Sequence, residues 1–318
     1  MTTAAIMRMT LAALLPGAMA YAWYFGAGVV LNLLITIVTA VLIEAAILKV
    51  RQMPLSHLGD GTVIVTAVLL GLCLPPLLPA WQVILGTGFA VVFGKHVYGG
   101  LGQNVFNPAM VGFAVLIVSF PLSMSQWPEP ETGDSLSKVV TAKLNMDAGR
   151  AAWDGMTAAT PLDSFKFRAG LTSDEHFNEI ENRNWIAWAW INLGFLAGGL
   201  YLLYRRIIPW QTPATMLATI ALLAVVFYDG GSSISLGSPA FHLFTGATML
   251  AAFFVITDPV TAPSCSQGLL LYGAGIGLIT FIIRSTGAYP EGIAFAVLLM
   301  NASAPLMDHL MSPREQAA

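Results

Sequence analysis

Outside positions 123–184 this chain has almost nothing with which to face water: 256 residues carry only eight Lys or Arg and seven Asp or Glu. A soluble domain is about 25% charged, and here the whole chain reaches 10%. Such a stretch is at home only in a bilayer, as helices that satisfy their own backbone polar groups. The other six bases and ten acids crowd into 123–184, the one long polar segment. No basic patch exists, so nucleic acid is excluded as a partner, and membrane lipid is the expected surroundings.

A hydrocarbon core of about 30 Å takes roughly 20 apolar residues as helix. Runs near that length stand at 9–25, 27–48, 61–78, 80–97, 105–122, 185–203, 207–227, 238–257, 267–284 and 290–308. The expected fold is therefore all-α and polytopic, with about ten transmembrane helices. The first membrane half covers 1–122, an extracytoplasmic loop covers 123–184, and the second half covers 185–318. The spans at 61–78 and 105–122 hold or adjoin Gly71, Pro75, Pro76 and Asn107-Pro108, so broken or re-entrant helices are expected there. Phe113-Ala114-Val115-Leu116 recurs as Phe295-Ala296-Val297-Leu298, each after a break bearing Gly and Pro. Five spans on either side of the loop would make two repeats of inverted topology. Ala18-Met19-Ala20 would suit a signal peptidase, but Arg8 is the only charge before it and apolar sequence continues to Phe25, so an uncleaved first helix is the better reading.

Lys and Arg in short loops set orientation. With the N-terminus inside, Arg8, Lys49, Arg51, Lys95, Arg205, Arg206 and Arg314 are cytoplasmic and only Arg284 is outside. Seven against one predicts N-in and C-in, with the 123–184 loop on the outer face, the periplasm of a Gram-negative cell. Trp185, Trp188 and Trp190 fit an interfacial aromatic belt after it.

Within that loop, Asp154-Gly155-Met156-Thr157-Ala158-Ala159-Thr160 resembles the recognition pattern of bacterial flavin transferases, which esterify FMN to the last Thr. An alcohol is a poor nucleophile until activated, small residues beside it leave the backbone approachable, and an upstream acid offers a handle. The pattern usually carries Gly at the place of Ala158. Thr245-Gly246-Ala247-Thr248 competes and matches the core better, but it has His242 in place of the acid and falls within the predicted 238–257 helix. Helix packing through small residues is the plainer account of it.

Longer segments carry a wider resemblance. Phe93 to Gly112 (FGKHVYGGLGQNVFNPAMVG), Ala159 to Asp163, Phe254 to Ala262 and Ala288 to Gly292 look like the D subunits of Rnf-type electron-transport complexes, in the same order. The resemblance implies a bacterial inner-membrane subunit with FMN on Thr160. It also implies partner subunits bearing flavin and iron–sulfur centres, and a complex that moves electrons between ferredoxin and NAD together with Na⁺ or H⁺. Such a subunit belongs to a translocase and is not catalytic alone. Its maturation would need a flavin transferase. The related B subunit of sodium-pumping NADH:quinone reductases shares this scheme and is one alternative. A solute channel or transporter with no redox role is another, since broken helices suit it equally.

The Gly99–Gly102 turn with Asn104 and Asn107 is a second candidate site: Gly lets a backbone approach a flat ring, and Asn can serve an isoalloxazine edge. The resemblance implies a non-covalent flavin there, riboflavin in kind; a helix break capped by Asn-Pro with no ligand is the alternative. Glu44 lies inside the second span, where an ionised acid costs roughly 2.5–3.5 kcal/mol, and is the ion-path candidate. Asp60, Asp229 and Asp258 lie at span ends, where headgroup-level solvation explains them. Gly273-x-x-x-Gly277 reads as a packing motif. Neither Cys73 and Cys265 nor the five His show metal-ligand spacing.

Overall fold

The computed structural model describes residues 1–100, 102–130, 136–144, 157–168, 170–179, 183–289 and 291–315. Their contacts separate into two units, Met1–Ala159 and Thr160–Ala318. Apart from one antiparallel pairing of Trp127–Pro128 with Thr157–Ala158, the regular structure described is helical.

The first unit runs through α1 (Thr3–Phe25), α2 (Ala27–Val50), α3 (Thr62–Cys73), α4 (Ala80–Phe89), α5 (Pro108–Ser119), α6 (Pro121–Ser125) and α7 (Leu136–Leu144). The second holds α8 (Pro161–Lys166), α9 (Ser173–Glu179), α10 (Arg183–Tyr204), α11 (Gln211–Val226), α12 (Pro239–Phe244), α13 (Thr248–Leu250), α14 (Ser266–Thr286) and α15 (Ile293–Glu315). Among the described residues, five helices are long and apolar enough to cross a membrane: α1, α2, Asn184–Tyr204 in α10, α14, and Ile293–Met311 in α15. The other five expected spans are shorter or interrupted. Helices α3 and α5 have 12 residues each and α11 has 16. At 1.5 Å per residue, 12 residues reach only about 18 Å. Helix α4 continues for seven residues as a π-helix, Ala90–His96, and α13 continues as another, Ala251–Val255.

Helix α2 shows how a membrane helix inverts the usual pattern. Its buried residues include Asn32, Thr36, Ala40, Glu44 and Leu48, spaced by four and so on one face. Leu34, Val38 and Leu42 on the opposite face are exposed. The polar stripe is turned inward because only protein there can hydrogen-bond it. In the second unit, Gly273 and Gly277 of α14 lie against α11: a Cβ at Gly277 would stand 2.7 Å from the Met216 carbonyl oxygen. The expected packing role is borne out.

Each unit closes a helix break with one asparagine. After α3, Asn32 Nδ2 donates to the carbonyls of Leu74 (3.4 Å) and Pro75 (2.9 Å), and Tyr21 donates its hydroxyl to Leu74 (3.3 Å). Between α12 and α13, Asn192 Nδ2 donates to Phe244 O (3.1 Å) and Gly246 O (3.0 Å), while its Oδ1 accepts from Met249 N–H (3.0 Å). These bonds satisfy backbone groups that the interrupted helices leave without intrahelical partners.

Lys143 of α7 reaches into the first break, donating to Asn32 Oδ1 (2.6 Å) and Leu78 O (3.1 Å). Burial pulls its pKa down from 10.5 to about 7. When α7 leaves its seat the lysine regains its ordinary value, so between about pH 7 and 10 undocking takes up a proton. Docking therefore strengthens as pH rises through that window and is weakest at and below 7. Amide exchange over 136–144, corrected for intrinsic rate, should slow between pH 7 and 9, and Lys143→Gln should lose that slope. An equal slope in the variant would rule the mechanism out.

Candidate functional site

Thr160 is the N-cap of α8. Its φ of −64° and ψ of 159° are extended, its Oγ1 accepts from the Asp163 main-chain N–H (3.2 Å), and Pro161 occupies the first helical position. Proline there is pre-set for helix and lacks only a hydrogen that would be orphaned anyway. The Thr160 hydroxyl donates to Asp163 Oδ2 at 2.9 Å. Thr160 is half-buried and Ala159 beside it is exposed. Leu162 and Phe165 hold the short helix down by packing with Phe241 and Trp185. Burial raises the Asp163 pKa, with the Thr160 hydrogen bond and the Lys166 charge opposing.

Beside α8 opens a cleft of about 200 Å³ lined by Leu162, Phe165, Lys166, Arg168, His242 and Arg284, among others. Three of these are cations. Lys166 Nζ donates to the carbonyls of Ile283 (3.1 Å) and Tyr289 (2.8 Å). Arg168 donates to Phe165 O (2.9 Å), Leu171 O (3.1 Å) and Ser233 O (3.3 Å), and its guanidinium lies 3.8 Å over the Phe165 ring. An esterified phosphate on Thr160 would be anionic, and the cations Lys166 and Arg168 that line this cleft in the same unit are of the sign that suits it, whereas Arg284 is already paired with Glu291. A half-buried helix-cap hydroxyl and cations in the same unit are compatible with the group that the flavin-transferase pattern implies.

The competing Thr245–Thr248 stretch corrects one expectation. It does not lie within a helix: Thr245, Gly246 and Ala247 form the break between α12 and α13, with Gly246 at φ 58°. Both threonines are nonetheless fully buried. Thr248 Oγ1 accepts from Arg284 (2.9 Å) and is in reach of the carbonyls of His242 and Thr245 (both 2.9 Å). Arg284, read from sequence as an outer-loop cation, is buried in α14 and bonds both Glu291 oxygens at 2.9 Å. Glu291 Oε2 in turn accepts from Ala247 N–H (3.2 Å).

Glu44 is buried at 3% exposure and is not alone. Both its oxygens accept from Lys95 Nζ, at 2.8 and 2.9 Å, and Lys95 also donates to Thr62 Oγ1 at 3.0 Å. His96 Nε2 stands 3.6 Å from Glu44 Oε2, an ion-pair distance too long for a hydrogen bond. Lys95 and His96 end the π-wound stretch, with its i→i+5 bonds. Lys95, counted above among loop cations, is thus an interior residue at 4% exposure. Asp60 accepts from both the N–H (2.8 Å) and the hydroxyl (2.7 Å) of Thr62, the first residue of α3. Asn107 caps α5 through Met110 N–H (3.3 Å), and Asn104 Nδ2 donates to Phe106 O (3.2 Å). Thr157 lies in the short strand opposite Pro128; Asp154 lies outside the described residues.

Comparison with known proteins was decisive for kinship. The model of the NQR2, RnfD, RnfE family matches residues 1–317. The chain belongs to that family. It is 47% identical over 316 residues to a protein of Pseudomonas paraeruginosa named as the D subunit of an ion-translocating oxidoreductase complex, covering 98% of this chain and 91% of the relative. Identically named proteins of Cellvibrio japonicus and Aeromonas salmonicida are 43% and 44% identical, over 98% and 99% of this chain and 90% and 95% of theirs.

In this member of the NQR2, RnfD, RnfE family, sequence reasoning missed the buried Lys95, Lys143 and Arg284 and the half-buried Asp163. Asp163 had a local signal, the third position after a Thr-Pro helix start, where an acid commonly completes a cap. The three cations had none: Lys95 and Arg284, at the ends of apolar runs, look like loop charges, and Lys143 is one of six bases in the polar 123–184 segment.

Proposed function

We propose that this chain is the D-type membrane component of an ion-translocating oxidoreductase complex, with FMN carried as a phosphoester on Thr160. The observation that carries the reading is the contrast between two hydroxyls. Thr160 is half-buried at a helix start beside exposed Ala159, whereas Thr248 is fully buried and bonded to Arg284 and in reach of two carbonyls. The flavin ring, once attached, supplies the redox chemistry. The chain supplies a fixed anchor, with α8 held by Leu162 and Phe165, and the cations Lys166 and Arg168 lining the cleft. Electrons arrive from and leave to partner subunits that hold their own centres.

The Glu44–Lys95 pair belongs to the ion path in this proposal, for Na⁺ or H⁺, since ion passage would have to compete with that pairing. The Gly99–Asn107 loop is the place for a second, non-covalent flavin, riboflavin in kind: Gly99, Gly100 and Gly102 take φ of 121°, 108° and 81° and leave a bare backbone beside Asn104. Orientation is N-in and C-in in a bacterial inner membrane with the Thr160 segment outside. Removing Lys95 and Arg284, which are interior, from the loop count leaves Arg8, Lys49, Arg51, Arg205, Arg206 and Arg314 as the loop cations whose number supports this orientation.

Co-expression with a flavin transferase tests the central claim. The polypeptide should fluoresce under ultraviolet light in a denaturing gel and gain the mass of one FMN ester. Thr160→Ala should abolish both signals and Thr248→Ala should keep them. A dark band and unmodified mass in the wild type would sink the redox assignment in favour of a solute channel.

A further inference from the structure

We infer that Asp163 is the base for the modification of its own chain: its carboxylate takes the Thr160 hydroxyl proton as that oxygen attacks a flavin adenine dinucleotide presented by the transferase. The inference rests on Thr160 being the flavin acceptor.

A threonine hydroxyl is a weak nucleophile until a base draws off its proton, and a base has to lie within about 2.6–3.2 Å of the oxygen that bears it. Asp163 Oδ2 meets that requirement at 2.9 Å, with the hydroxyl as donor. This differs from an ordinary capping box, in which the third-position carboxylate reaches back to the cap's backbone N–H; here it receives the side-chain hydrogen. The Asp163 main-chain N–H binds Oγ1 at 3.2 Å from the helix side. That bond occupies one lone pair and leaves the other for the electrophile. The half-buried carboxylate is partly shielded from water, and burial moves its pKa upward, toward the range in which a carboxylate is an effective base near neutrality. Lys166, in the same helix and fixed to the Ile283 and Tyr289 carbonyls, restrains that rise.

The step balances without an oxidant. The Thr160 O–H bond breaks and its proton passes to Asp163 Oδ2. A bond forms from Oγ1 to the flavin-side phosphorus, the bond from that phosphorus to the bridging oxygen breaks, and AMP leaves with the electron pair. Asp163 afterwards returns its proton to solvent.

The test uses the full chain in detergent with purified flavin transferase, FAD and Mg²⁺, following in-gel fluorescence and intact mass against time across pH. Asp163→Asn keeps the main-chain cap and removes the base, so the initial labelling rate should fall by about 100-fold or more. The acid limb of the wild-type pH profile should vanish, leaving a rate that climbs with hydroxide, and Asp163→Glu should restore part of the loss. Labelling of Asp163→Asn within a few-fold of wild type, or with the wild-type pH profile, would overturn the inference. Lys166→Gln gives an independent arm that retains the carboxylate. Without the neighbouring charge its acid limb should move to higher pH, and an unmoved limb also overturns the idea. Failure of the wild type to label, or labelling that persists in Thr160→Ala, refutes the acceptor assignment itself.

Discussion

Lys95→Met destabilises the first unit by about 3–5 kcal/mol, the usual cost of stranding one member of a buried ion pair. An exposed pair would be worth only about 0–1 kcal/mol, so burial decides the size. Lys95 and Glu44 side chains are 5% and 3% exposed, and both carboxylate oxygens depend on the one ammonium. Methionine keeps most of the lysine stem's volume, so the loss would be electrostatic and not a cavity. His96 is too far to take over by hydrogen bonding. The double variant Glu44→Gln/Lys95→Met should recover most of the stability, because the stranded charge is gone. Thermal unfolding of the detergent-solubilised wild type, single and double variants reads this directly. A single variant no weaker than the double would show that the pair does not hold the unit together.

Gly246→Ala has the second large effect, in the other unit. Its φ of 58° is strained for an L-residue, and a Cβ there would run into the Glu291 carboxylate, with Leu162 Cδ1 at 2.8 Å and Arg284 Nη2 at 3.1 Å. The carboxylate cannot simply swing away, since Arg284 and Ala247 N–H hold it. Displacing it leaves a buried guanidinium short of its partner, so the expected loss is about 3 kcal/mol or more. Gly230→Ala is the control: its φ is 59° but nothing stands within 4 Å, so it should cost only about 1 kcal/mol of backbone strain. Because Leu162 is two residues from Thr160, Gly246→Ala should also slow flavin attachment. Melting temperatures and the labelling assay measure both effects. Equal losses at the two glycines would mean that only φ matters.

Several features were legible from residue order. Charge depletion demanded self-satisfied helices, and Gly71 with Pro75-Pro76 marked the break after α3. Thr160-Pro161-Leu162-Asp163 has the residues of a helix start, as found, because cap, proline and third-position acid are local chemistry. Other predicted spans are shorter as continuous helices than the apolar runs that contain them, since such a run does not reveal where a helix will be interrupted within it. The Thr245–Ala247 break is the clearest case: Asn192 and Glu291, far along the chain, satisfy the groups that the interruption frees.

The pairing of charges lay beyond any local reading. Lys95 is 51 residues from its acid, Glu44, and the neutral partners Asn32 of Lys143 and Thr248 of Arg284 lie 111 and 36 residues away, although the acid of Arg284, Glu291, is only seven residues on. A charge in an apolar run is read one way if it ends at a headgroup and another if it meets a partner, and only packing brings that partner within hydrogen-bond reach. Composition therefore settles that the chain lives in lipid, and local sequence settles where several of its helices begin, because backbone satisfaction and helix caps act over a few residues. That Lys95 neutralises Glu44 depends on contacts between distant segments, because in a low dielectric a charge is tolerable only where the fold has already placed its opposite.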